Sequence, residues 1–150
     1  MPCSYQKVHH NKKAYLDLLL LADEQEDMVD RYLFSSDMYI ILDDDIVVGE
    51  FVVSDEGNGV VELKNLAIKP ELQGRGYGRA CITFIKEIYA PAFTTLIVGT
   101  GDSPLTLPFY QACGFEEFKR IPHFFLENYD HPIVEDGVML DDMVYLAQDL

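Results

Sequence analysis

From Lys12 to Phe34 the apolar positions recur at helical spacing, with Met28 paired to Tyr32 and Val29 to Leu33, and the pattern predicts helices over Lys12 to Ala22 and Asp23 to Phe34. The period then shortens. Met38 to Leu42 and Ile46 to Val53 are rich in β-branched residues, which predicts a hairpin turning through Asp43-Asp44-Asp45. Glu56-Gly57-Asn58-Gly59 is a strong turn signal, and Val60 to Ile68 then completes an antiparallel meander. Past Lys69-Pro70 a glycine-rich loop leads into a helix whose apolar stripe is Cys81, Phe84, Ile85 and Ile88, with Pro91 near its end. Thr94 to Gly99 reads as a short buried strand. Ser103-Pro104 offers an N-cap and a first-turn proline for a helix to about Cys113, which Gly114 ends as a left-handed cap. Phe115 to Ile121 and Met143 to Ala147 are expected to be extended. Helices, meander, loop, helix, strand, helix and strands in that order predict a mixed α/β layered architecture of the α+β class. Nothing divides the chain, so a single domain over 1–150 is expected.

Composition narrows the chemistry. The 150 residues are 49% hydrophobic and 25% charged, close to an ordinary folded domain and unlike a disordered chain. Eleven Lys and Arg against 26 Asp and Glu leave a net charge of −15, which opposes nucleic acid and anionic membranes as partners. The longest apolar-looking run, Tyr15 to Ala22, is interrupted by Asp17 and too short to span a bilayer, and the first residues lack a secretory pattern, so a cytoplasmic protein is expected. Cys3, Cys81 and Cys113 are odd in number and far apart, and the histidines have no ligand spacing, so neither a disulfide framework nor a metal site is expected.

The most informative segment is Gln73-Gly74-Arg75-Gly76-Tyr77-Gly78-Arg79, between a predicted strand and an amphipathic helix. Unpaired N–H groups and the positive end of the helix dipole converge there, glycines allow close backbone approach, and two arginines add positive charge, so an anion is expected. No Gly-Lys-Ser or Gly-Lys-Thr follows, and Arg79 stands where a dinucleotide fingerprint wants glycine, which excludes a P-loop and a Rossmann turn.

With its flanks this loop resembles the central motif of the GNAT superfamily of N-acetyltransferases. Gln73, Gly76 and Gly78 match the motif, the strand Leu63-Lys64-Asn65-Leu66-Ala67-Ile68 precedes it, and Leu96-Ile97-Val98 is followed by Phe109-Tyr110-Gln111-Ala112-Cys113-Gly114-Phe115. The resemblance covers about Val47 to Phe115. It implies the GNAT fold, a central, mostly antiparallel twisted sheet splayed at the cofactor cleft and flanked by helices. It also implies acetyl-coenzyme A as cofactor, with the amides of Gly74, Arg75, Gly76, Tyr77, Gly78 and Arg79 on the pyrophosphate. The backbone of Leu66, Ala67 and Ile68 would pair with the pantetheine arm as an added strand and polarise the thioester carbonyl.

Acetylating an amine at neutral pH needs a neutral nitrogen, although an alkylamine has a pKa of about 10.4. Glu62 stands where the histone-modifying branch of the family carries its catalytic glutamate, and a solvated strand position is an equal reading of it. Glu50, on the adjacent predicted strand, is the substitute base, acting through water. Tyr110 stands where the family keeps its general-acid tyrosine, suited to the leaving thiolate because a phenol is protonated at pH 7. Asp102 occupies the place of a common family asparagine; it could accept a bond from a pantetheine amide, contact an amine, or lie in a solvated loop. Cys113 is read as packing rather than as a nucleophile. Phe124, Phe125, Tyr129 and the acidic Glu127, Asp130, Glu135 and Asp136 lie in a region that often lines the acceptor pocket in this family. Together these imply an acetyltransferase acting on a primary amine of a small molecule, peptide or protein by direct attack in a ternary complex, as a monomer or homodimer. The competing reading is a noncatalytic acyl-coenzyme A binding module of the same fold.

Overall fold

The computed structural model describes residues 3–150. After an edge strand β1 (Cys3–Lys7), a 3-10 turn (Lys12–Tyr15) leads into α1 (Leu16–Ala22), followed by α2 (Glu26–Asp30). Three long strands come next, β2 (Asp37–Asp43), β3 (Ile46–Gly57) and β4 (Val60–Ile68). Helix α3 (Tyr77–Tyr89), β5 (Thr95–Gly101), α4 (Leu107–Ala112) and β6 (Glu116–Ile121) follow. The chain closes with α5 (Phe124–Asn128), a small hairpin of β7 (Val134–Glu135) and β8 (Val138–Met139), and β9 (Met143–Asp149). Seven strands form one sheet in the order β1-β2-β3-β4-β5-β9-β6, antiparallel throughout except for the central β4–β5 pair.

The meander folds as its polar turns dictate. Asp44 and Asp45 have φ of 52° and 63°, and Asn58 and Gly59 have 57° and 78°. Two left-handed residues in succession are what a two-residue hairpin needs to match the twist of its strands. Strand β3 is buried without a break from Val48 to Ser54 because both faces of the sheet are covered. On one face Phe51 and Val53 meet the Cys81, Ile82 and Ile85 stripe of α3; on the other Val52 meets Leu19 of α1 and Val29 of α2.

One irregularity positions the site. Val52 pairs with Asn65 but Val53 pairs with Leu63, so Lys64 is an extra residue bulged out of β4. The bulge resets the alternation. Val61 and Leu63 belong to the α3-side core and Leu66 and Ile68 pack on that same core, whereas Asn65 reaches across the other face to donate to the Leu19 carbonyl at 3.0 Å.

Helix α5 and the β7–β8 hairpin are additions to the sequence reading, and three further elements depart from it. The edge strand β1 is an addition, held by pairing with β2 and by Tyr5 stacked on Phe84 with ring centroids 3.9 Å apart. The second helix is shorter than Asp23 to Phe34: α2 stops at Asp30, and Leu33–Ser35 forms a 3-10 turn, where the carbonyls of Leu33 and of the following Ser36 accept from Lys12 Nζ at 2.9 and 2.6 Å. Ser103 does cap a turn, its hydroxyl accepting from the Leu105 N–H at 3.1 Å, but the helix proper begins at Leu107, since Pro108 has no N–H to extend the ladder from Pro104. Gly114 ends that helix at φ 98°, as expected. Among the described residues no helix is long and apolar enough to cross a membrane.

Candidate active site

Strands β4 and β5 are paired only from Val60 to Leu63 against Thr95 to Val98; beyond that they part, although β4 runs on to Ile68 and β5 to Gly101. Main-chain donors and acceptors on the facing edges are therefore left without strand partners in the middle of the sheet. The fork opens into a cleft of about 880 Å³. Its walls are β4 from Leu63 to Ile68, the glycine loop, Gly99 to Gly101 of β5, the Leu105 to Tyr110 segment, the end of α1, and the stretch around Phe125 to Leu140.

The loop is shaped by glycine where the backbone requires it. Gly76 caps α3 at φ 90°, a left-handed conformation that costs an ordinary residue about 1–2 kcal/mol. Gly78 has a different reason: a Cβ there would sit 3.0 Å from the Phe109 ring, so the bare backbone lets α3 close against α4. Gln73 donates from Nε2 to the Ile68 carbonyl at 3.0 Å, which ties the loop to the end of β4. The first N–H groups of the thirteen-residue α3 lack intrahelical acceptors and make an anion site with the dipole behind it. Gly74, Gly76, Tyr77, Gly78 and Arg79 line the cleft, and Arg75 does not. The Tyr77 side chain is buried, its hydroxyl donating to the Asp43 carboxylate.

Tyr110 lies in the cleft wall with only 8% of its surface exposed, its ring edge-on to Phe109 and Phe115 at 5.1 and 5.6 Å. Burial raises its pKa, so the phenol keeps its proton at neutral pH. Its hydroxyl makes no hydrogen bond to any described residue.

The two glutamates lie behind the wall. Glu50 is fully enclosed on β3, opposite Ala67, with neither carboxylate oxygen hydrogen-bonded to any described residue. Burial pushes its carboxyl well above the usual range, against a smaller opposing pull from the Ala67 backbone. Glu62 is 7% exposed and lies in the paired part of β4, below the fork. Its pKa is raised by burial and partly restored by the Lys64 ammonium, 3.1 Å from the carboxylate. Lys64, unlike Glu62, lines the cleft.

Asp102 is not brought to the cleft wall. Its carboxylate pairs with Arg120 at 2.9 Å, because β6 carries that guanidinium past the end of β5. Of the downstream acidic and aromatic residues, Phe125, Tyr129, Glu135 and Asp136 line the cleft, whereas Phe124, Glu127 and Asp130 do not. Sequence reasoning missed Asp23 and Glu24, which enter the wall from the end of α1; they read there as the start of a second helix. The signal that could have found them is a paired carboxylate at a helix break. Three contacts tie this corner to the far segment: Tyr129 to Asp23 at 2.5 Å, the Asp130 N–H to Gln25 Oε1 at 2.9 Å, and Arg31 to Asn128 at 3.3 Å.

The sequence and the fold both have counterparts among known proteins. Residues 35–117 match the family described as an acetyltransferase (GNAT) domain. A Bacillus subtilis (strain 168) protein named uncharacterized N-acetyltransferase YvbK is 39% identical over 143 residues, covering 93% of this chain and 91% of that one. Among solved structures, a Bacillus subtilis acetyltransferase in complex with CoA superposes with a TM-score of 0.91 at 34% identity, over 99% of both chains. A GNAT family acetyltransferase from Elizabethkingia anophelis with acetyl-CoA bound gives 0.89 at 29% identity, over 99% of this chain and 98% of that one.

Proposed function

Because the chain belongs to the GNAT acetyltransferase family, we propose that it transfers the acetyl group of acetyl-coenzyme A to a primary amine of a small cationic molecule, by direct attack in a ternary complex. The observation that carries this reading is the fork between β4 and β5, which opens main-chain groups of β4 directly onto the glycine loop at the α3 N-terminus. The residues present fit the cofactor. Left-handed Gly76 and the free N–H groups behind it suit a pyrophosphate, Arg79 adds charge from the wall, and Leu66, Ala67 and Ile68 offer strand edges to an amide-bearing arm. Arg75 adds charge from outside the wall.

Acetyl-coenzyme A, when bound, supplies an acetyl thioester and a thiolate leaving group. The protein's part is to orient, to exclude water and to manage protons. The β4 amides around Ala67 polarise the carbonyl that the nitrogen attacks. Tyr110, with a hydroxyl free of partners among the described residues, gives a hydrogen bond or its proton to sulfur as the carbon–sulfur bond breaks. Neither Glu62 nor Glu50 lines the cleft, so the proton lost by the attacking nitrogen leaves through water. Glu62, held by Lys64, is the carboxylate that receives it, and Glu50 positions β4 from behind Ala67. The carboxylates of Asp23, Glu24, Glu135 and Asp136 on the wall favour a cationic acceptor.

The test is calorimetric titration with acetyl-coenzyme A, followed by release of free thiol across a panel of amines. Binding at micromolar strength or tighter, about −8 kcal/mol, with thiol release to a cationic amine is expected. Binding without release across the panel favours a noncatalytic acyl-coenzyme A module, and absence of binding refutes the reading of the loop.

A further inference from the structure

Of the cleft-wall carboxylates that lack a counter-ion among the described residues, Asp23, Glu24, Glu135 and Asp136, only Asp23 is held by side-chain hydrogen bonds. Asp23 follows the last residue of α1, is half-buried, and lines the cleft together with Lys64, Asn65 and Tyr129. Both of its carboxylate oxygens are oriented by phenols, Oδ2 by Tyr32 at 3.0 Å and Oδ1 by Tyr129 at 2.5 Å. The Tyr32 oxygen accepts in turn from Asn65 Nδ2 at 3.1 Å, which anchors the assembly to the bulge of β4. Among the described residues no cation lies within ion-pairing distance of Asp23. The Lys64 ammonium pairs with Glu62, and Arg31 donates to Asn128. Burial raises the pKa of Asp23 against the opposing pull of the two phenols and, more weakly, of the Lys64 and Arg31 charges, neither of which is in contact with it. Each oxygen accepts one of the two bonds it can take. A rigidly held, partly desolvated carboxylate with spare acceptor capacity and no positive neighbour in contact is built to receive a cation.

That cation is not the nitrogen to be acetylated. A carboxylate bonded to the reacting nitrogen would stabilise its ammonium form and oppose the proton loss that attack requires. We propose that Asp23, oriented by Tyr32 and Tyr129, binds a second positive charge on the acceptor, distal to the acetylated nitrogen, and so selects small diamines or amines with an equivalent distal cation. This rests on the amine-acetylation reading above. Glu135 and Asp136, entering the wall from the β7–β8 hairpin, add a field of the same sign.

Calorimetric titration of the CoA-saturated protein with 1,4-diaminobutane and with butylamine reads the anchor directly, since the two probes share a chain and differ in the distal charge. Diaminobutane is expected to bind at least about tenfold tighter than butylamine, and Asp23→Asn to reduce that preference to about twofold. Equal affinities in the unsubstituted protein, or a full preference surviving in Asp23→Asn, overturn the proposal. If Asp23→Asn does not fold, Tyr129→Phe, which keeps the carboxylate but frees one oxygen, is expected to lower the preference at least about threefold; an unchanged preference overturns it equally. Thiol release from acetyl-coenzyme A is followed in parallel. A diamine preference without release refutes acetylation and leaves the anchor standing, whereas release without preference refutes the anchor alone.

Discussion

Replacing Tyr110 with phenylalanine separates chemistry from packing at a single oxygen. The ring lies between Phe109 and Phe115, with centroids 5.1 and 5.6 Å away, and those contacts survive the change. The hydroxyl has no partner among the described residues, so its loss leaves no buried group unsatisfied, and the stability change is expected to stay within about 0.5 kcal/mol. For a domain of this size that shifts the melting temperature by about 1–2 °C. The catalytic effect is larger. A hydrogen bond to a charged atom contributes about 1.5–3 kcal/mol, and the departing sulfur, uncharged in the thioester, has gained negative charge by the transition state. At 1.36 kcal/mol per factor of ten, Tyr110→Phe is expected to lower kcat by about tenfold to about 150-fold. The assay is steady-state thiol release at saturating acetyl-coenzyme A and amine, with cofactor affinity measured by calorimetry on the same preparation. A fall in kcat with Kd within about twofold of the original supports the role, since the donor acts on the departing sulfur rather than on binding. A kcat within twofold of the parent, in a protein whose melting temperature is unchanged, refutes it.

Gly76→Val should weaken acetyl-coenzyme A binding at least about tenfold, because a β-branched residue at φ 90° must either strain by about 1–2 kcal/mol or move the loop; an unaltered calorimetric Kd would remove the loop from the cofactor site. Glu50→Gln should change the pH dependence of stability. The folded carboxyl lies well above its ordinary value of 4.5, so the folded state holds its proton more tightly than the unfolded chain does. The contribution of this group to stability is complete below that value and declines as pH rises toward the folded one. Glutamine has no such decline, so urea unfolding at pH 5 and pH 8 should show the variant gaining on the parent at the higher pH, and an equal difference at both would contradict the argument.

Much of the fold could be read where local chemistry and tertiary structure ask for the same thing. The meander is legible because Asp44, Asp45, Asn58 and Gly59 suit left-handed turns whatever packs beside them. The glycine loop, α3 and Gly114 are legible for the same kind of reason. Strand β1 is not, since its five residues become a strand by pairing with β2 and by the stack of Tyr5 on Phe84. The site was legible in its main-chain half and less so in its side chains. Glu62 follows a motif register, but the bulge at Lys64, invisible to a period-two pattern, changes which face the following residues occupy. Asp102 has a motif position too, and a long-range partner, Arg120, takes it up. Asp23 is the converse: the carboxylate pair at a helix break is its one local sign, and its surroundings come from Tyr32 and from Tyr129, 106 positions downstream.

The fork in the sheet divides recognition between two kinds of atom. On the cofactor side the proposed contacts are chiefly amides and carbonyls, which any residue able to adopt the backbone supplies equally well. On the acceptor side they are carboxylates and phenols, each replaceable by a single codon change. The acceptor corner is also supported by a small core of its own, Phe125, Ile133 and Leu140, separate from the core beneath the glycine loop. An inherited scaffold of this kind can drift to new acceptors while its grip on one donor stays constant, because the substitutions that redirect it fall on a different set of atoms from those that hold the donor.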